Sequence, residues 1–361
     1  MLKREVHFLD EEFQKHYKNI QNKLQTEFKI TSLSLSLEHW VIMTDEAHKP
    51  AAFYFFNTKT QTLSAPLHTR KSLLPHTAKL QPMECLEILS RDGFPLVSYL
   101  TRAKEQAGKA LILLVHGGPW SRDRYGFNVY HQWLADRGYN VLSVNFRSSV
   151  GFGKNFLNAG DQQWGHKMHE DLLDAVNWAV NKGHADSSQV VIMGASYGGY
   201  AALAGLTFTP DTFAAAVDIV GPSNLETLLS TIPPYWESFK ANLYRRVGDP
   251  TTEAGQKLLK KCSPLTHVDK IKKPLLILQG ANDPRVKKAE ADQIFNSMLS
   301  KKIPVQYILF PDEGHGFAKS QNNMGANAII EGFLQKFLGG RLEDIEDDLK
   351  ESSAQFITAL Q

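Results

Sequence analysis

From Ala110 onward the chain carries short, continuously apolar runs, each followed by a turn and then a helical stretch. No other feature limits the fold as much, because a strand that is apolar at every residue must be covered on both faces. The runs are Leu111 to Val115, Val141 to Val144, Val190 to Met193, Ala214 to Val220, Leu275 to Leu278 and Val305 to Leu309. Between the second and third, Met168, Leu172, Val176 and Ala179 recur at helical spacing, as the crossover between parallel strands requires. The expectation is an α/β fold with a mostly parallel central sheet and helices on both faces.

Residues 1–83 have another texture. Phe13, Tyr17, Ile20, Leu24 and Phe28 share one helical face, Leu33, Leu35 and Leu37 alternate with Ser as a half-buried strand would, and Ala51 to Phe56 reads as a further strand. Turn-rich pieces at Lys49-Pro50 and Leu74-Pro75 separate them. Three segments are therefore expected: a β-rich piece with an N-terminal helix at 1–83, the α/β unit at 84–341, and a tail at 342–361. The acidic run Glu343 to Asp348 makes that tail a solvated one.

With 40 Lys and Arg against 38 Asp and Glu, the net charge is +2, which gives no reason to expect a nucleic acid or an acidic membrane as partner. The start, Met1 to Val6, runs into charged residues, and no stretch reaches the roughly 18 apolar residues of a membrane helix. A soluble, cytoplasmic protein is expected. Cys85 and Cys262 are too few for a disulfide framework.

After the run Val190 to Met193 comes Gly194-Ala195-Ser196-Tyr197-Gly198-Gly199-Tyr200, followed by small residues from Ala201. This is G-x-S-x-G in the strand, turn, helix setting of a nucleophile elbow. The sharp turn strains the serine backbone, and side chains at Gly194 or Gly198 would collide with neighbouring main chain. Alone, the pentapeptide also suits a purely structural turn.

A serine hydroxyl is a weak nucleophile, so it needs a base within reach and a carboxylate to hold that base in the right tautomer. In this fold they follow in the order Ser, acid, His. His315 lies just after the last apolar run, whereas His267 precedes a strand. Asp283 directly follows Leu275 to Leu278, whereas Asp269 precedes that run, Asp292 falls in the next helix and Asp249 sits in a Gly-Asp-Pro turn. Open α/β sheets place their sites at the carboxyl ends of strands, which selects Ser196, Asp283 and His315, with Asp249 as the fallback acid. The loop His116-Gly117-Gly118-Pro119-Trp120 ends the first run and has the composition that supplies one oxyanion amide, the other coming from Tyr197 after the serine. His116 reads as a brace of that loop, since no partners follow it in the needed order.

Other groupings carry less. His166-Lys167-Met168-His169-Glu170 lacks zinc-ligand spacing and reads as surface residues at a helix start. Gly151-Phe152-Gly153-Lys154 lacks the phosphate-loop frame and reads as a turn. No cofactor or metal is called for.

Taken together, HGGPW from His116, NFRSSVGFGKNF from Asn145, GASYGGYAAL from Gly194, PPYWESF from Pro233, SPLTHVDKIKKPLLILQGANDPRV from Ser263 and LFPDEGHGF from Leu309 resemble the prolyl oligopeptidase family of serine peptidases. The likeness is to its acylaminoacyl-peptidase and dipeptidyl-aminopeptidase-like branch and covers Met83 to Arg341. It implies an α/β-hydrolase with Ser196, Asp283 and His315 as triad and the Gly118 and Tyr197 amides as oxyanion donors. It also implies Arg285 as the group that reaches the substrate carbonyl upstream of the scissile bond, and Tyr235 and Trp236 as the wall of the pocket for the preceding residue. A surface ion pair for Arg285 and simple packing for the aromatic pair are the plain alternatives.

The departure from the family is at the N-terminus, where 83 residues can form two propeller blades at most. The segment thus resembles the last part of a β-propeller, whose open edges call for self-association or a separate propeller fragment. The function implied is cleavage of short peptides through an acyl-enzyme, by acylaminoacyl or dipeptidyl-type release. An esterase freed from propeller gating, or a non-catalytic relic that binds a partner, are the competing readings.

Overall fold

The computed structural model describes residues 5–105, 109–344 and 346–358; Met1 to Arg4, at the start of the charged N-terminus noted above, lie outside the described residues. Helix α1 (Glu11–Leu24) starts where the Asp10 carboxylate accepts the Phe13 amide at 2.7 Å and ends at Gln25, in the left-handed region at φ 52°. Phe13, Tyr17, Ile20 and Leu24 pack on a small antiparallel sheet of β1 (Phe28–Leu33), β2 (His39–Thr44), β3 (Ala52–Asn57), β4 (Thr62–Leu63) and β5 (Leu67–His68), around buried Trp40, Ile42 and Phe56.

Two local expectations change here. Phe28 opens β1 instead of extending the helix, and Leu35 and Leu37 are exposed in the β1–β2 turn, not on a strand. Alternation over so few residues cannot tell a strand from a tight hairpin turn; Leu37, at φ 58°, is a turn residue.

The second sheet has nine strands in the order β14-β13-β12-β11-β10-β8-β9-β7-β6. Its parallel part is β8 (Leu111–Val115), β9 (Asn140–Val144), β10 (Val190–Ala195), β11 (Ala215–Ile219), β12 (Leu275–Gly280) and β13 (Val305–Phe310), one strand for each apolar run. Alternate residues serve two cores. Leu113, Ile192 and Ile277 face one, and Ile112, Val191 and Leu276 face the other, so both faces of these strands are apolar.

Helices α2 (Val129–Asp136), α3 (Lys154–Asn158), α4 (Lys167–Asn181), α5 (Tyr197–Phe208), α6 (Leu225–Ser230), α7 (Lys240–Arg246), α8 (Glu253–Cys262), α9 (Lys288–Ser300) and α10 (Ser320–Leu338) link the strands. The first core takes Leu172, Ala202 and Ile294, and the second takes Leu134, Ile330 and Leu334. The chain leaves β8 for β9 on one side and crosses back to β10 on the other, so the loops after β8 and β10 diverge from adjacent strands and open a crevice.

A hairpin of β6 (Met83–Leu89) and β7 (Pro95–Thr101) precedes the parallel strands and pairs antiparallel with β9. The two units meet where Ala47 packs with Met83, Val97 and Tyr99 and where Gln132 Nε2 donates to the Ala47 and Gln81 carbonyls at 2.9 and 2.8 Å.

The segment expected as a solvated tail returns to the sheet. After the exposed acidic residues, α11 (Glu346–Lys350) turns the chain and β14 (Gln355–Thr358) pairs antiparallel with β13. An edge strand of four residues, with Phe356 and Ile357 both half-exposed, has neither the length nor the alternation that marks a strand in sequence. Another correction concerns the His166 to Glu170 group, read as surface residues, of which Met168, also placed on the apolar helix face with Leu172, and His169 are the exceptions. Both are buried, Met168 in the first core and His169 against the end of α5, where its Nε2 meets Thr209 Oγ1 at 2.9 Å. Among the described residues no helix is long and apolar enough to cross a membrane.

Candidate active site

Ser196 joins β10 to α5 at φ 60°, ψ −116°, a conformation costly for any residue with a Cβ. Its amide donates to Ile219 O at 2.8 Å, which locks the turn against β11. The glycines around it are dictated by space. A Cβ on Gly194 would lie 2.5 Å from Val115 O, and one on Gly198 only 2.2 Å from the same atom. The turn therefore sits directly against the end of β8, beside the His116 loop.

The other two loops meet as well. His315 Nδ1 donates to Asp283 Oδ2 at 2.7 Å, and Asp283 Oδ1 accepts the Arg285 and Val286 amides at 2.8 and 2.9 Å. Asp283 is buried, so its carboxylate is held in one orientation by three donors. The rival acids lie elsewhere: Asp249 accepts from Thr251 in its own turn, Asp269 pairs with Lys301, and Asp292 pairs with Lys288. Ser196 and His315 line the same cavity of about 510 Å³. No hydrogen bond joins Ser196 to His315 among the described residues; such contacts are often long before substrate binds.

Gly117, Gly118 and Tyr197 edge the cavity beside Ser196. The Gly118 N–H has no partner among the described residues, and that of Tyr197, the first residue of α5, has no carbonyl a turn back in its own helix. His116 holds this loop. Its Nδ1 meets Gly117 O at 2.8 Å, its Nε2 meets Ser149 Oγ at 2.9 Å, and its ring stacks on Phe146 at 4.5 Å. Burial lowers His116 to about 4, so the ring is neutral near pH 7, with Nδ1–H donating to the Gly117 carbonyl.

Arg285 is exposed, lines the cavity, lies over Trp236 at 5.7 Å and has no acidic partner among the described residues. The expected aromatic pair divides. Trp236 is on the cavity wall, whereas Tyr235 is 59% exposed and off it. In the turn Pro234–Phe239 consecutive side chains point apart, and the wall is completed three residues on by Phe239. Trp120, Trp164, Leu243 and Val247 also line the cavity and were not anticipated. Trp120 could have been found from its place in the HGGPW loop; the other three come from segments with no local signal.

A parallel sheet with a serine on a strained elbow, and a histidine and a buried carboxylate bonded at neighbouring strand ends, defines an α/β-hydrolase of the serine type. Residues 125–341 match the model of the prolyl oligopeptidase family, and the chain belongs to that family. It is 56% identical over 333 residues to dipeptidyl aminopeptidase BIII of Pseudoxanthomonas mexicana, covering 90% of this chain and 48% of that protein. It is 43% identical over 349 residues to dipeptidyl peptidase family member 6 of Caenorhabditis elegans, covering 90% and 47%. Among solved structures, a puromycin-hydrolyzing peptidase of Mycobacterium tuberculosis superposes with a TM-score of 0.76 at 27% identity, over 85% of this chain and 47% of that one. The chain spans about half the length of the curated relatives it matches.

Proposed function

We propose that this chain is a serine peptidase that hydrolyses short peptides through an acyl-enzyme on Ser196. His315 takes the Ser196 proton on Nε2 as Oγ attacks the scissile carbonyl, and returns it to the leaving amine. Asp283 keeps the imidazole proton on Nδ1 and offsets the positive charge that forms. The free Gly118 and Tyr197 amides receive the oxyanion, and a second cycle with water releases the acyl group. Arg285, without an acidic partner among the described residues, binds the carbonyl upstream of the cut. The mostly hydrocarbon cavity, with Trp120, Trp164, Trp236 and Phe239 on its walls, takes an apolar side chain before it.

The observation that carries this reading is the 2.7 Å bond between Asp283 and His315 at a cavity that Ser196 also lines. Activated esters fit the same machinery, so the acyl group is the class of substrate and the leaving group the open variable. A fluorophosphonate should label the wild-type protein and not Ser196→Ala. Turnover of an acyl-amino-acid anilide against a short nitrophenyl ester separates peptidase from esterase. Equal labelling of both proteins would remove Ser196 as the nucleophile. The pairing with a further propeller segment or a second copy is part of the same proposal and rests on the small open sheet of residues 28–68.

A further inference from the structure

His315 stands between Gly314 and Gly316, the latter at φ 113°, and Gly316 N donates to Gly314 O at 3.0 Å across it. Such a backbone has little stiffness of its own. Its hold comes from outside. Glu313, 3% exposed, accepts the Ala318 and Lys319 amides at 3.0 Å each and Asn322 Nδ2 at 2.9 Å, closing the loop across His315. Its carbonyl accepts Asn282 N at 2.9 Å, which ties the same residue to the loop of Asp283.

Asn322 extends this hold to the end of the chain. It is fully buried and uses every polar valence: Nδ2 donates to Asp312 Oδ1 at 3.0 Å as well as to Glu313, and Oδ1 accepts Ser353 N at 2.8 Å and Ser352 Oγ at 3.3 Å. Ser353 Oγ donates to Asp312. Directly after these contacts β14 pairs with β13, the strand that delivers the His315 loop. Gly325 leaves the room for this approach, since a Cβ there would sit 2.6 Å from Ser352 Oγ.

We infer that Glu313, Asn322 and Ser353 form a brace by which the C-terminal segment positions His315 against Asp283 and Ser196. This rests on the assignment of His315 as the base. The three are positioning residues, acting through the loop and touching no substrate. A displacement of the imidazole on the order of 1 Å is enough to cost about a hundredfold in rate.

The test uses the full chain with Asn322→Ala and Ser353→Ala. Expected for Asn322→Ala is a tenfold to hundredfold fall in kcat on the anilide with KM within twofold, and a smaller fall in the same sense for Ser353→Ala. The second variant removes only a half-buried hydroxyl, so it keeps the test alive if the first does not fold. The downfield proton NMR signal of the His315 Nδ1–H should shift or broaden in both, a change that loss of stability alone does not produce in the folded fraction. Unchanged kcat and an unchanged signal in folded variants overturn the brace. A wild-type protein that takes no fluorophosphonate label overturns the reading beneath it instead.

Discussion

Replacing Asp283 by Asn changes one atom and leaves the shape of the loop alone. The amide can turn either way. With its nitrogen toward the Arg285 and Val286 amides, two bonds of 2.8 and 2.9 Å become donor against donor. At about 1 kcal/mol for each bond, with more for a buried donor left bare, that orientation is disfavoured by at least about 2 kcal/mol. This is about thirtyfold in population. The oxygen therefore stays on the loop and the nitrogen faces His315 Nδ1. Nδ1 must then accept, which moves the imidazole proton to Nε2, the atom required to take the proton of Ser196. A triad in the wrong tautomer loses about 10⁴ in kcat, or about 5 kcal/mol of transition-state stabilisation. The assay is hydrolysis of an acyl-amino-acid anilide together with the rate of fluorophosphonate labelling, and near-ultraviolet circular dichroism checks that the variant is folded. Activity within tenfold of wild type in folded Asp283→Asn would mean that another group orients the base or that His315 is not the base.

Two further outcomes can be measured. Arg285→Met should lower kcat/KM for a peptidyl anilide by about tenfold to a hundredfold, the worth of a hydrogen bond to a charged group, and leave a short acetate ester within about threefold; an equal loss on both would assign Arg285 to general folding. Asp123, in the loop after the oxyanion turn, has a buried Oδ2 without a partner among the described residues, and burial raises its carboxyl to about 7. The folded form thus keeps a proton that the unfolded chain releases near pH 3.9. Its contribution is fully present below that pH and is lost as pH rises through 7, on the order of 4 kcal/mol at most. The melting midpoint of Asp123→Asn should gain on wild type from pH 4 to 7, and a constant difference would refute the burial argument.

The six central strands were legible because burial on both faces makes β8 to β13 predominantly apolar, with few polar residues such as Ser143 and Asp218 among them, a signal carried within each run. The elbow was legible for a steric reason of the same kind, since only glycine clears Val115 O at 194 and 198. The β6–β7 hairpin and β14 were not. Their residues take mixed environments from neighbours remote in sequence, as when Tyr99 faces Ala47 and Gln355 pairs with Leu309.

Local pattern thus determined the α/β layers, the serine turn and the strand-end positions of Asp283 and His315. Tertiary packing alone decided that Trp236 reaches the cavity while Tyr235 turns to solvent, that Trp164, Leu243 and Val247 complete its wall, and that the end of the chain folds back onto the histidine loop. Periodicity records which side of an element is buried. The partner that buries it is set by contacts between segments far apart along the chain, and these leave no mark in any one of them.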